Sequence, residues 1–281
     1  MSHFLMKKNS SPDMRLRFLI TITVLVYFHA IAQQNFELQW QDNFDSTQID
    51  YFRWSNCYSW GRTIVTNHEL EYYTDGKNFE LKDGILIIKP KREKIKARVN
   101  PTAPDDKLME DSIMNLRSFS YTSGLLRCKE KYLYGKFEVR CKLPAGNGTW
   151  PSFWLYGGDC GEIDIFEKPW MFHNSISNNL HYDSASIKHD DFCLIPLKTP
   201  INLRNGFHVY TIEWTPKKIV WSLDSIPIRV VTYHYTNCPM ELIVNLALAN
   251  DDFWGHTHGK ISKRSTFEID YIKIWKLKDQ P

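Results

Sequence analysis

Beyond about residue 36, apolar and polar positions alternate with a period of two in one stretch after another. Gly135-Lys-Phe-Glu-Val-Arg-Cys-Lys-Leu143, Phe207-His-Val-Tyr-Thr-Ile-Glu-Trp214 and Thr266-Phe-Glu-Ile-Asp-Tyr-Ile-Lys-Ile-Trp275 all read as strands with one buried face. Leu81-Lys-Asp-Gly-Ile-Leu-Ile-Ile-Lys89 places a turn before an apolar run, and Thr215-Pro-Lys217 predicts a hairpin into Lys218–Ile226. Helical periodicity is nearly absent, and many short strands between Gly, Pro, Asn and Asp turns predict an all-β sandwich or barrel. The stretch from about Glu93 to Ser118, with two prolines and several charges, reads as a loop insertion. No linker divides the chain beyond residue 32, so residues 33–281 are expected to form a single domain.

The start of the chain differs in kind. Lys7, Lys8, Arg15 and Arg17 precede an apolar run from Phe18 to Phe28, and Ala30-Ile-Ala32 fits a small-x-small cleavage site. Residues 1–32 are therefore expected to be a signal peptide, with secretion to the periplasm or medium; a membrane anchor is the competing reading, and the run is short for one. This segment holds four of the 35 basic and one of the 32 acidic residues, leaving 31 of each in the remainder. Nothing in that balance calls for nucleic acid or an anionic membrane. The six cysteines all lie beyond the signal. In an exported chain they permit disulfides in any of 15 connectivities, and free buried thiols remain an alternative.

Candidate chemistry concentrates in Gly161-Glu-Ile-Asp-Ile-Phe-Glu167. On a regular strand Glu162 and Asp164 share a face while Glu167 points the other way. A one-residue bulge near Ile165-Phe166 would bring all three acids to one face. Two carboxyl groups about 5–5.5 Å apart are what a retaining glycosidase needs, one as nucleophile and one as acid/base. The two Glu Cα atoms would sit roughly 13 Å apart, so both side chains must lean inward. Such crowding should raise at least one pKa and keep Glu167 protonated. A solvated acidic edge or a hard-cation site are the bland readings of the same residues. Thr149-Trp-Pro-Ser-Phe-Trp-Leu-Tyr156 lies just upstream, with rings suited to stacking on sugars or to packing a core.

At these residues the chain resembles glycoside hydrolase family 16, the laminarinase-like enzymes. Leu38–Asp45, Asn67-His-Glu-Leu-Glu-Tyr-Tyr-Thr74, Tyr121–Gly124, Tyr134–Glu138 and Lys142-Leu-Pro144 resemble successive family segments. The acid segment with an extra position before its last Glu is similar to the bulged form of the family signature. The resemblance implies a β-jelly-roll sandwich of two antiparallel sheets with a concave cleft, and endo-hydrolysis of β-1,3- or mixed-linkage glucan by double displacement. It implies Glu162 as nucleophile, Glu167 as general acid/base and Asp164 as the residue that tunes the nucleophile. Asn67, Glu69, Trp150, Trp154, His181 and Trp254 are implied as substrate-binding; His181 taken alone reads more readily as a core histidine, and the Asn-Leu-His-Tyr motif brings a site role level with that reading. Galactans or host glycans, transglycosylation, and glucan recognition without catalysis are the alternatives. The chain is expected to act as a monomer on polysaccharide. No cofactor is implied for the chemistry. Relatives hold a structural Ca²⁺ with an acid where this chain has Asn43 and with an Asp matching Asp270, so its donor set is weakened here.

Overall fold

The computed structural model describes residues 36–101, 115–146, 148–168, 175–184, 187–190, 193–196, 203, 205–232, 236–248 and 265–278. Among them, two antiparallel sheets face each other and a small third sheet flanks them. The first sheet runs in the order Ile226–Val231, Ile219–Leu223, His208–Trp214, Gly135–Lys142, Phe267–Leu277, Ile85–Ile88 and Phe79–Lys82, with Phe36–Asp42 also on Phe267–Leu277. The second runs Ile187–Asp190, Leu180–Ser184, Glu162–Glu167, Thr149–Tyr156, Met240–Leu248, Leu125–Tyr132 and Trp54–Ser55. The expected all-β sandwich is what forms, and only one short 3₁₀ turn, Gly158–Cys160, interrupts it among the described residues.

Alternation in the sequence becomes the core. In Gly135–Lys142, Phe137, Val139 and Cys141 face inward and fully buried. Phe267, Ile269, Ile272 and Ile274 do the same from the neighbouring strand, and a bulge near Asp270 explains the three-residue step. Each such side chain contributes about 1.5–3 kcal/mol by leaving water. The hairpin expected after Trp214 is present, with Ile219–Leu223 returning against His208–Trp214. Its buried Trp221 reaches across the core and donates from Nε1 to the Asp164 carbonyl oxygen at 2.8 Å. The first sheet thereby holds the acid strand of the second.

One expectation fails. Residues read as a loop insertion form strands: Lys91–Val99 pairs antiparallel with Asn115–Ser123, which pairs parallel with Glu71–Tyr73. The strand Lys91–Val99 exposes charged side chains on one face and half-buries Glu93, Ile95 and Ala97 on the other, so its high charge masked a period of two. None of the 15 complete pairings forms: one bridge, Cys160–Cys238, is present, while Cys57, Cys128, Cys141 and Cys193 are free thiols. Asp270 accepts from the Arg140 guanidinium, and Asn43 is exposed. That carboxylate already meets positive charge, and Asn43 brings no second carboxylate.

Candidate active site

Three acids come to one face by the parity shift that their spacing requires. Tyr156 pairs with Glu162, Leu155 with Ile163 and Trp154 with Asp164, but Phe153 pairs with Phe166 and Ser152 with Glu167. Ile165 is the extra residue. It and Phe166 both pack into the core, so Glu167 returns to the face of Glu162 and Asp164. The next strand presents Tyr156, Trp154, Ser152 and Trp150 on that same face. Beyond it lie Glu241, Ile243, Asn245 and Ala247, and then Arg127 and Leu125.

Hydrogen bonds fix Glu167 and Asp164. Trp150 Nε1 donates to Glu167 Oε1 at 3.0 Å. The Asn179 amide nitrogen bridges two carboxylates, donating to Glu167 Oε2 at 2.6 Å and to Asp164 Oδ2 at 2.8 Å. His181 lies opposite Glu162 in the register, and its Nε2 is 3.4 Å from Asp164 Oδ2. One ligand atom each from Glu162, Asp164 and His181 falls within 4.8 Å of the others. That spacing would also suit a cation, but Asp164 Oδ2 is already engaged by Asn179.

Electrostatics separate the acids. Burial pushes the Glu167 carboxyl well above the usual range, and the charges of Asp164 and Glu162 push it further. His181 and the Trp150 donor oppose that shift. A proton therefore stays on Glu167 at a pH where an ordinary carboxyl has lost it. The arrangement can pair a proton donor with an anionic neighbour, which is the division of labour of acid/base and nucleophile.

The remaining predicted residues are distributed unevenly. Trp150 and Trp154 stand on the acid face, both largely covered, and Trp154 Nε1 donates to Asn245 Oδ1 at 2.9 Å. Asn67 is half-buried in a turn closed by the His68 N–H on the Val65 carbonyl. Glu69 is buried, and its carboxylate accepts from the Ile64 backbone at 2.7 Å and from the Thr63 hydroxyl at 3.4 Å, so it clamps its own loop. Trp254 lies outside the described residues. Sequence reasoning missed Asn179 and a ring layer in which Tyr58 stacks on Trp60 and Trp60 meets Tyr156 at 4.7 Å. Asn179 sits two positions before His181, a spacing that could have flagged it for the same face. The Tyr58 and Trp60 segment has no periodicity to mark it.

Comparison with known proteins finds relatives of this fold. Residues 95–273 match the family described as Glycosyl hydrolases family 16. The chain is 30% identical to a glucan endo-1,3-beta-glucosidase of Cryptopygus antarcticus, over 91% of this chain and 97% of that protein. It is 28% identical to a beta-glucanase of Rhodothermus marinus, covering 86% of each. Among solved structures, the catalytic domain of an endo-1,3-beta-glucanase (laminarinase) from Thermotoga petrophila RKU-1 superposes with a TM-score of 0.67 at 25% identity. That match covers 87% of this chain and 99% of the other.

Proposed function

Since the chain belongs to the glycosyl hydrolases family 16, we propose that it is a secreted, retaining endo-hydrolase that cuts β-1,3- or mixed-linkage glucan by double displacement. The observation that supports this most is the bulged acid strand, which turns Glu162 and Glu167 to one face and keeps a proton on Glu167. In the first step a Glu162 oxygen attacks the anomeric carbon. The bond to the leaving sugar breaks, and Glu167 gives its proton to the departing oxygen. In the second step Glu167, now a carboxylate, takes a proton from water. That water displaces Glu162 from the same carbon, restoring both groups and the original anomeric configuration. Asp164, held by Asn179 and beside His181, positions and tunes Glu162. The two glutamates account for every proton and bond in both steps.

Residues 1–32 would be removed on export, leaving 33–281 as one catalytic domain that works as a monomer. Mass spectrometry of the exported protein should find Gln33 at its N-terminus. Glu162→Gln and Glu167→Gln should each lower kcat on laminarin by about 10²–10⁴-fold or more while the thermal transition stays within a few degrees. Proton NMR of the first product should show the β-anomer. Full activity in Glu162→Gln would end the assignment. Cleavage of a galactan in preference to glucan would keep the mechanism and replace the substrate.

A further inference from the structure

A cationic face lies on the small sheet and continues into the cleft. The strand Lys91–Val99 is its edge strand, and Arg92, Lys94, Lys96 and Arg98 are all exposed along it. Lys94, Lys96 and Arg98 share one face and repeat about every 6.6 Å, while the bulge between Arg92 and Ile95 turns Arg92 to the other face. Among the described residues, no carboxylate is paired with Arg92, Lys94 or Lys96. Arg98 then joins Arg62, Arg127, Trp60 and Tyr72 around a cavity of about 340 Å³. Arg62 pairs with Asp75, and Arg127 with Glu241, so both guanidiniums are held in place. Arg127 stands on the acid face three strands from Asp164, or about 14 Å away. Trp60 touches Tyr156, the register partner of Glu162. Arg127 therefore lies within a few sugar units of the acids, with the buried Trp60 and the half-buried Tyr156 packed between.

We propose that this cavity and strand bind acidic substituents, sulfate or carboxylate, on the polysaccharide that the cleft cuts. The inference rests on the hydrolase reading above and names the substrate class more narrowly: an anionic β-linked chain. Arginine forks suit such groups bidentately, and rings beside them suit the sugar plane. A chain with no net charge beyond residue 32 has no general affinity for polyanions, so this local excess is selective. Lysines on an edge strand also deter sheet-to-sheet aggregation, but that use needs no ring-lined cavity beside them.

The test compares laminarin, chemically sulfated laminarin and carboxymethylated β-1,3-glucan as ligands and substrates. Wild type and an Arg92→Gln/Lys94→Gln/Lys96→Gln variant are run in parallel. The variant should bind both anionic polymers about tenfold more weakly, the order expected for losing three exposed ion contacts, and keep kcat/KM on neutral laminarin within about twofold. Salt that shortens the screening length to about 3 Å should weaken wild-type binding to the anionic polymers and leave laminarin turnover unchanged. Loss on one anionic polymer alone would identify sulfate or carboxylate as the ligand. Equal affinity in variant and wild type overturns the proposal. So does a variant that only aggregates, or a wild type that prefers DNA or phosphatidylserine vesicles to both anionic glucans. Strand-dependent binding without cleavage of any polymer would overturn the hydrolase reading and support this one.

Discussion

Trp150 and His181 pull the Glu167 proton one way, and burial beside two acids pulls it the other. Burial wins, and the group stays protonated above the ordinary carboxyl value of 4.5. With Glu167 as the proposed acid, activity should fall as pH rises through its pKa, because only the protonated form would serve the leaving oxygen. The Trp150 N–H favours the carboxylate, so removing it raises that pKa further. Trp150→Phe should therefore move the alkaline limb of the kcat/KM profile to higher pH, read from initial rates across a buffer series. At this scale much was visible in the chain: the acids and their single-residue offset stand in Glu162–Glu167 itself. Asn179 was not, because its part depends on a carboxylate fifteen positions away being folded beside it.

The acid strand is anchored at its start by a close approach and a covalent link. Gly161 has φ of +101°, and a Cβ there would lie 2.1 Å from the His181 carbonyl oxygen. Gly161→Ala should cost about 2 kcal/mol or more and depress activity with it, measured by denaturant unfolding and by turnover. The bridge from Cys160 to Cys238 ties the turn before Glu162 to the segment leading into Met240–Leu248, closing a loop of 78 residues. A Cys160→Ser/Cys238→Ser protein should lose about 2–4 kcal/mol, seen as a lower thermal midpoint. Elements with one apolar face were plain in the sequence. The strands from Lys91 and Asn115 were not, since a sheet with one solvated face needs few apolar residues and charge density alone imitates a loop.

Across the whole molecule, buried acid sets how stability depends on pH. Glu71 is fully buried, and burial lifts its carboxyl from 4.5 to about 7. In the unfolded chain it releases its proton near 4.5, so between 4.5 and about 7 the folded state holds more protons than the unfolded one. Its contribution to stability is full below 4.5 and is lost as pH rises through about 7. Glu69, also raised by burial, acts in the same direction. Thermal midpoints should fall over that window, and Glu71→Gln should flatten the fall. The sandwich class and its closing strands followed from periodicity. The cationic face did not, because a balanced total charge conceals where its parts are placed.

The extra residue in the acid strand works like an inserted letter that leaves the words on either side readable. Asp164 to Glu167 spans three steps against two from Trp154 to Ser152, and Ile163 to Glu167 spans four against three from Leu180 to Ser177. Deleting Ile165 would make both counts equal, with Glu162, Asp164 and Glu167 still outward and Ile163 and Phe166 still inward. Such a shortened chain should keep measurable hydrolysis, whereas deleting Ile163 should abolish it. Activity in the shortened chain would mean that an acid strand of this kind can lose or gain one residue in a single evolutionary step without passing through an inactive ancestor.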